Sequence, residues 1–184
     1  MSTQRSILDY RRHAGTLFYA YTTEQMVAIV KTWAEHRWPM HLSEAFALRD
    51  QFGWKPAPDD GTIFTTPVSS GDEDGFIGID VENKNLVAEV RFRLSSRLPQ
   101  DTPPEIQVRI QNAYASYISA FNSLYGAGDS ESDQDVAITQ WYLPSRANVA
   151  IAATRRFLST TIESPATTDL AEAQQRYFDE GGEM

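Results

Sequence analysis

The chain has 184 residues, of which 41% are hydrophobic and 22% charged, so it is long enough for one domain with a buried core and too apolar for wholesale disorder. It contains no cysteine, which excludes disulfides, thiolate metal sites and thiol catalysis. Its net charge is −9, from 25 acidic against 16 basic residues, and this argues against a general nucleic-acid binder because phosphate binding needs clustered Lys and Arg.

The N-terminal sequence contains no apolar run of signal-peptide length, and no segment approaches the roughly 18 apolar residues of a membrane span. We therefore expect no membrane association and a cytoplasmic location. The surplus of acidic groups has two interpretations. It forms a solvated acidic surface, or it presents an acidic face to a basic partner and speeds their encounter.

The chain is predicted to form a single α+β domain over residues 22–180. Residues 1–21 show no clean hydrophobic period, so they are interpreted as an N-terminal arm or a short helix. Residues 181–184 are interpreted as a flexible acidic tail. The sequence shows no internal repeat and no low-complexity region that would suggest a second unit.

A pair of helices with a sharp corner is predicted at the start of the domain. Thr22 opens a capping box for the first helix, and Pro39 breaks that helix. Ser43 is the predicted N-cap of the second helix, which Gly53 ends in a left-handed conformation. Three of the four tryptophans lie in this stretch, and we interpret them as clamps that hold the corner on the core.

The hydrophobic period then changes from 3.6 to 2, which predicts a meander of antiparallel strands at residues 62–68, 76–81 and 86–94. A long helix with an aromatic stripe follows and should lie across one face of the sheet. After an acidic loop, strands are predicted at 136–143 and 148–153, with an optional short strand at 157–162, before a last helix. The predicted order is αα-βββ-α-ββ(β)-α.

No motif for a metal, a cofactor or catalysis is present. His36 and His41 are five residues apart with Pro39 between them, which does not match a helical pair of metal ligands. Residues 129–135 imitate a calcium loop, but Gln134 and Gln140 occupy the positions where an EF-hand needs Gly and Glu. Catalytic residues, cofactors and metals are therefore predicted to be none, although a site assembled only in three dimensions stays open.

Nine charged residues are the candidates for contact with a protein partner. They lie in a Gly-rich turn, on the polar and solvent-exposed face of the third strand, and in the acidic loop. The acidic groups would face a basic cleft of the partner, and the arginines would hold its carboxylates. The alternative for both groups is ordinary solvated surface charge. The nine are Asp72, Glu73, Asp74, Arg91, Arg93, Asp129, Glu131, Asp133 and Asp135.

The tryptophan corner resembles that of a small uncharacterised actinobacterial family, in which a helical pair ends in a W-x-W…GW pattern before a β-meander. Trp38 matches the first tryptophan, Met40 stands in place of the second, and Gly53 with Trp54 completes the pattern. The resemblance covers residues 23–180 by order of elements. Proteins of this kind are similar to immunity proteins of polymorphic toxins, including type VII-secreted toxins, which bind a toxin domain and block its active site.

Three functions are therefore considered. The leading hypothesis, implied by the resemblance, is a non-catalytic immunity protein that neutralises a cognate toxin by occlusion. The second is a small acidic secretion chaperone or adaptor, since the predicted order of elements also resembles type III-like chaperones. The third is an enzyme or small-ligand protein whose site has no sequence motif.

Overall fold

The computed structural model describes residues 7–13 and 16–182. It confirms the predicted class, an α+β domain with an antiparallel sheet. The remainder of the predicted N-terminal arm (residues 1–6 and 14–15) and the last two residues of the predicted tail (183–184) lie outside the described residues.

The elements follow one another as two strands, two helices, four strands, one long helix, four strands and a last helix. They are β1 (Ile7–His13), β2 (Thr16–Tyr21), α1 (Thr23–Ala34), α2 (Leu42–Gln51), β3 (Lys55–Pro56), β4 (Ile63–Thr65), β5 (Gly75–Ile79), β6 (Val87–Arg93), α3 (Pro104–Tyr125), β7 (Asp129–Ser132), β8 (Val136–Tyr142), β9 (Asn148–Thr154), β10 (Leu158–Glu163) and α4 (Pro165–Asp179). Every predicted helix of the main domain and every predicted strand is present, including the optional strand at 157–162.

The main sheet has eight strands in the order β3-β4-β5-β6-β10-β9-β8-β7, and all neighbours are antiparallel. It consists of two meanders that meet where β6 pairs with β10. The helix α3 carries the chain from β6, in the centre, to β7, at one edge. The last four strands then return to the centre one after another.

The helices α1 and α3 pack on one face of this sheet, called the inner face below. The Tyr114 hydroxyl contacts the Thr139 hydroxyl at 2.7 Å. The indole N–H of Trp141 donates to Asn122 Oδ1 and to the backbone oxygen of Gly126, both at 3.1 Å. These bonds tie β8 to α3 and to the residue that ends it, so the predicted position of the long helix is confirmed.

Trp54 is the centre of an aromatic cluster in the core and is 4% exposed. Its ring centroid lies 4.9 Å from those of Phe52 and Phe92, 5.3 Å from that of Phe64 and 6.1 Å from that of Trp33. These rings come from α1, from the end of α2, and from β4 and β6. The cluster therefore joins the helical corner to the first meander, as predicted for Trp33 and Trp54, whereas Trp38 is only partly buried and lies outside the cluster.

The corner itself differs in one detail from the prediction, because α2 begins at Leu42 with His41 as its N-cap and not at Ser43. Glu44 Oε2 accepts a hydrogen bond from the His41 backbone N–H at 2.7 Å. The Leu42 N–H donates to the Asn85 backbone oxygen at 2.8 Å, so the turn before β6 also fixes the start of the helix. Gly53 ends the helical corner with a φ of +72°, as predicted.

The N-terminal segment was predicted to be an arm or a short helix, and the structure shows a β-hairpin of β1 and β2 instead. The Tyr21 N–H donates to the Leu94 backbone oxygen at 3.0 Å, and the Ser96 N–H donates to that of Tyr19 at 2.7 Å. Ala20 is fully buried. The end of the hairpin is therefore part of the domain, and its pairing partner lies far away in the sequence, where a local pattern does not reveal it.

Two further strands lie where loops were predicted. The strand β3 has only two residues, and its pairing with β4 extends the sheet at one edge. The strand β7 lies within the predicted acidic loop, and all four of its residues are exposed. Neither strand alternates between apolar and polar side chains, because an exposed edge strand is held by backbone hydrogen bonds more than by side-chain burial.

Replacing Trp54 by Ala should remove the centre of the aromatic cluster and lower the free energy of unfolding by about 3–5 kcal/mol, since the cavity would be lined by rings from four elements. Urea unfolding monitored by circular dichroism measures this change. Leu124→Ala is the control, because Leu124 is 45% exposed on α3. Equal stability of the Trp54 variant and the wild type would contradict the central role of the cluster.

Candidate functional site on the outer face of the sheet

The face of the sheet that points away from α1 and α3 is called the outer face. Side chains that pair directly across neighbouring strands share a face, so the register defines its members. One row runs from Arg91 to Thr161, Ala150 and Gln140. Because Gln140 alternates along β8 with Thr139, which contacts α3, this row lies on the outer face.

A second row of the outer face runs from Arg93 on β6 through Ser159 and Ala152 to Ile138 on β8. The small side chains in the middle of both rows are partly accessible, so no further layer of the described chain buries them. The large apolar side chains stand at the sides. Phe76 on β5 is 36% exposed, and Ile138 is 41% exposed. The outer face is therefore shallow, polar along one side and apolar at its margins.

A hollow of about 600 Å³ lies at the arginine side of the outer face, between the ends of β6 and β10 and the loop before β5. It combines cationic, hydroxyl and aromatic side chains and is called the arginine hollow below. Its lining residues are Asp72, Asp74, Arg91, Phe92, Arg93, Arg97, Thr154, Phe157, Ser159 and Thr161.

Arg93 was predicted to be solvent-exposed, and this is wrong, because it is only 7% exposed. The loop before β5 folds over the end of β6, where Arg93 lies. The Arg93 Nη2 donates to Asp72 Oδ2 at 2.8 Å and to the Ser69 backbone oxygen at 3.3 Å, and Nε donates to Asp74 Oδ2. The third nitrogen, Nη1, is buried and has no hydrogen-bond partner within the described part of the chain.

The loop that covers Arg93 is held by its own hydroxyl groups. The Ser69 hydroxyl donates to Asp74 Oδ1 at 2.6 Å and accepts from the Thr66 backbone N–H at 2.9 Å. The side chain of Asp74 is 16% exposed and that of Asp72 is 63% exposed, while Glu73 points to solvent. Of the three acidic candidates in this turn, Asp74 is thus a structural group, whereas Asp72 and Glu73 remain accessible.

Arg91 is exposed on the outer face, as predicted, and its Nη2 lies 3.3 Å from Glu89 Oε2 on the same strand. Glu89 is directly opposite Glu163 on β10. Burial raises the pKa of Glu163, the charge of Glu89 raises it further, and Arg91 partly offsets both. Two carboxyl groups and one guanidinium therefore form a coupled group at the border of the hollow.

Arg97 and Phe157 are site residues that the sequence did not reveal. The guanidinium carbons of Arg97 and Arg93 lie 5.7 Å and 6.0 Å from the centroid of the Phe157 ring. Cations at this distance from an aromatic ring are attracted by its quadrupole. The spacing of Arg91, Arg93 and Arg97 was a signal that could have pointed to the cluster, but only the pairing of β6 with β10 brings Ser159 beside it.

The acidic candidates at the other end of the sheet do not join the hollow, since β8 and β9 lie between β7 and β10. Glu131 on β7 pairs with Ile138, which places it on the outer face. Asp133 Oδ1 accepts from the backbone N–H groups of Asp135 and Val136 at 2.8 and 2.9 Å, which lowers the pKa of Asp133. Asp133 therefore stabilises the β7–β8 turn.

The other two acidic candidates at this end of the sheet also lie outside the hollow. Asp129 pairs with Gln140 and also faces outward, and Asp135 lies 3.3 Å from Arg155 Nε. The acidic candidates therefore form an edge to the outer face, and three strands separate β7 from the arginines of β6. The acidic side chains do not converge on a shared site.

The two histidines of the corner lie apart from this surface. The Nδ1 atom of His36 is 2.9 Å from the Arg37 backbone oxygen, and His41 is the N-cap of α2. Within residues 7–13 and 16–182, no group of three or more His, Asp and Glu side chains is arranged to hold a metal ion. None of the helices in that part of the chain combines the length and the apolar character needed to cross a membrane.

Residues 24–164 match the model of DUF6301, a family of unknown function, and the chain belongs to this family. Searches of curated proteins and of solved structures find no match to the chain. The matched range contains α1 apart from its first residue, α2, α3 and all strands of the main sheet, and therefore the whole outer face. It ends at the N-cap of α4.

Replacing Arg93 by Ala should lower the free energy of unfolding by about 3–5 kcal/mol, because Asp74 would stay largely buried without its counter-ion. The matched change is Asp72→Asn, which removes the more exposed partner and should cost less than about 1 kcal/mol. Urea unfolding of both variants measures the difference. Similar losses in the two variants would contradict the assignment of Asp74 as the buried partner.

Replacing Glu163 by Gln should stabilise the protein at pH 7. The pKa of Glu163 is raised in the folded state, so this group contributes stability that is complete below the ordinary value of 4.5 and is lost as the pH rises through the raised value. The advantage of the Gln variant should therefore shrink as the pH falls towards 4. Unfolding midpoints across this range test the sign, with Glu73→Gln as the exposed control, and a destabilised variant at pH 7 would contradict it.

Proposed function

We propose that this protein is a non-catalytic binding protein whose outer sheet face docks on a protein partner, and that it acts as an immunity protein that occludes a toxin domain. The observation that carries the proposal is the outer face itself. One face of the sheet is buried by helices, while the other presents shallow polar rows between exposed apolar side chains. Protein interfaces combine apolar and polar groups in this way.

The composition of the outer face supports a protein partner in particular. Phe76, Ile138 and Tyr142 are 36%, 41% and 49% exposed, and a docked partner would remove their apolar surface from water. The small side chains between them leave room for a partner's groups to approach the backbone of the sheet. An interface of standard size, about 800 Å² on each partner, requires a surface of this breadth.

The charge distribution supports a partner with both basic and acidic groups. The net charge of −9 and the acidic edge at β7 would attract a basic surface over long range. Arg91 and Arg97, at the other side of the outer face, would meet acidic side chains. One side is acidic and the other holds arginines together with carboxylates, and this asymmetry would fix the orientation in which the partner docks.

A secretion chaperone or adaptor is the second candidate, and it is favoured by a different observation. The helix α4 exposes Leu170, Tyr177 and Phe178, at 54%, 56% and 47%. Such a helix could pair with its copy in a second chain, as chaperone dimers require. A stable dimer in light scattering, together with retention of an unfolded substrate segment, would favour this function over inhibition.

The proposed docking surface is tested by co-expression with the protein encoded by the neighbouring gene, followed by affinity purification and a growth-protection assay. Ile138→Asp would place a charge at the apolar margin and should weaken the complex by about tenfold or more and abolish protection. Val108→Asp is the matched control, since Val108 is 46% exposed on α3, away from the outer face.

Both variants should keep the circular dichroism spectrum and the unfolding midpoint of the wild type, because both positions are exposed. Loss of the complex in the Ile138 variant alone supports docking through the outer face. Equal retention in both variants, or no complex and no protection with the wild-type protein, refutes the proposed function.

A further inference from the structure

We propose that the arginine hollow is a carboxylate-binding site in which Arg93 Nη1, Arg97 and Ser159 hold the anion. This inference rests on the proposed function for the source of the carboxylate, which would be an acidic side chain or the C-terminus of the docked partner. The site itself is defined by the geometry of the hollow. It can be tested without the partner.

Arg93 has a buried hydrogen-bond donor without an acceptor in the described part of the chain. A guanidinium carries five N–H groups, and the cost of leaving a buried charged donor without an acceptor is large. Nε and Nη2 are bound to Asp74, Asp72 and the backbone of Ser69, whereas Nη1 has no acceptor among the described residues. The fold therefore fixes the guanidinium firmly and leaves one buried nitrogen, in a residue that lines the hollow, with donors that no described residue uses.

Further hydrogen-bond donors lie beside Arg93 in the hollow. Ser159 is its direct partner across the β6–β10 pairing, and the Arg97 guanidinium lies against the same Phe157 ring. Arg97 is exposed, so it can move towards an anion without breaking buried contacts. Two guanidinium groups and a hydroxyl thus converge on one hollow, and charge-assisted hydrogen bonds of this kind are short and strong.

The local charge favours a carboxylate over a phosphate. The three positive charges of Arg91, Arg93 and Arg97 are opposed by the carboxylates of Asp72, Asp74 and Glu89, and Glu163 lies opposite Glu89 at the border of the hollow. A singly charged anion therefore adds one uncompensated charge to the hollow, whereas a phosphate would add close to two. The planar carboxylate also matches the fork of donors that guanidinium groups present.

The volume of the hollow indicates how the carboxylate is presented. About 600 Å³ is much more than a carboxylate fills, and the partly exposed Phe157 supplies apolar surface beside the polar groups. The methylene groups of a Glu side chain, or the last side chain before a free C-terminus, would contact this ring. A carboxylate on an apolar stem is therefore the preferred ligand group.

The binding of acetate to ¹⁵N-labelled protein tests the site, with the arginine side-chain N–H signals and the Ser159 amide signal followed by NMR. We expect saturable shifts of the Arg93, Arg97 and Ser159 signals, with a Kd on the order of 10 mM for so small a ligand. Sodium chloride at matched ionic strength should not reproduce them. Arg97→Gln should weaken acetate binding by about fivefold.

The matched control is Arg155→Gln, since Arg155 is an exposed arginine that pairs with Asp135 and does not line the hollow. It should bind acetate like the wild type. Shifts that do not saturate, that chloride reproduces, or that Arg97→Gln leaves unchanged would overturn the proposal. In the same titration, inorganic phosphate should bind more weakly than acetate, and tighter phosphate binding would overturn the choice of a carboxylate.

Competition in the complex then identifies the source of the carboxylate. If it comes from the partner, acetate at saturating concentration should weaken the complex and Arg97→Gln should increase its Kd by about fivefold, with Arg155→Gln unchanged. If acetate binds but neither change affects the complex, a partner-borne carboxylate is refuted and a free small carboxylate is the ligand. Loss of the complex in Ile138→Asp, without acetate binding, would leave the proposed function supported and refute the site.

Discussion

The pairing of β6 with β10 is the contact on which the rest of the structure depends. It joins two antiparallel meanders into one eight-stranded sheet, and only a continuous sheet offers α1 and α3 a face broad enough to bury their aromatic side chains. The same pairing places Arg93 opposite Ser159 and Arg91 opposite Thr161. The core on the inner face and the candidate site on the outer face are therefore set by one register, and a slip by one residue would exchange the two faces of β10.

Arg93 shows how one side chain can serve the fold and still suit a binding site. Asp74 and the Ser69 backbone hold it in place, so the loop before β5 is fixed over the end of the sheet. A guanidinium held in this way loses little conformational entropy when it meets an anion, because the fold has already ordered it. Exposed Arg97 lacks that rigidity but is accessible. Together they combine a fixed donor with an adaptable one beside the same ring.

The separation of charge across the outer face gives the proposed docking its direction. The acidic residues at β7 and the arginines at β6 lie at opposite sides of the outer face, with the small side chains of β9 and β10 between them. A partner with the complementary arrangement would be attracted by the net negative charge and oriented by the arginines. The match to DUF6301 covers the whole main sheet. The strands β1 and β2 and the helix α4 lie outside the matched range.

The sequence by itself determined the elements whose signals are local. The alternation along β6, the aromatic stripe of α3 and the glycine that ends the helical corner each depend on neighbouring residues, so they were predicted within a few positions. The class of fold followed from the order of these elements. Trp33 and Trp54 were correctly interpreted as core residues, because large aromatic side chains at helical spacing are usually buried, whereas Trp38 is only partly buried and packs against the core.

Only the tertiary structure decided which charges are exposed and which strands complete the sheet. The alternation placed Arg93 on a polar face, but a loop some twenty residues earlier in the chain covers it, and no local pattern encodes that contact. The hairpin of β1 and β2, and the edge strand β7, depend on backbone partners that are distant or that leave no periodic trace. Burial is a property of the assembled sheet, so the arginine hollow could be found only after its strands were paired.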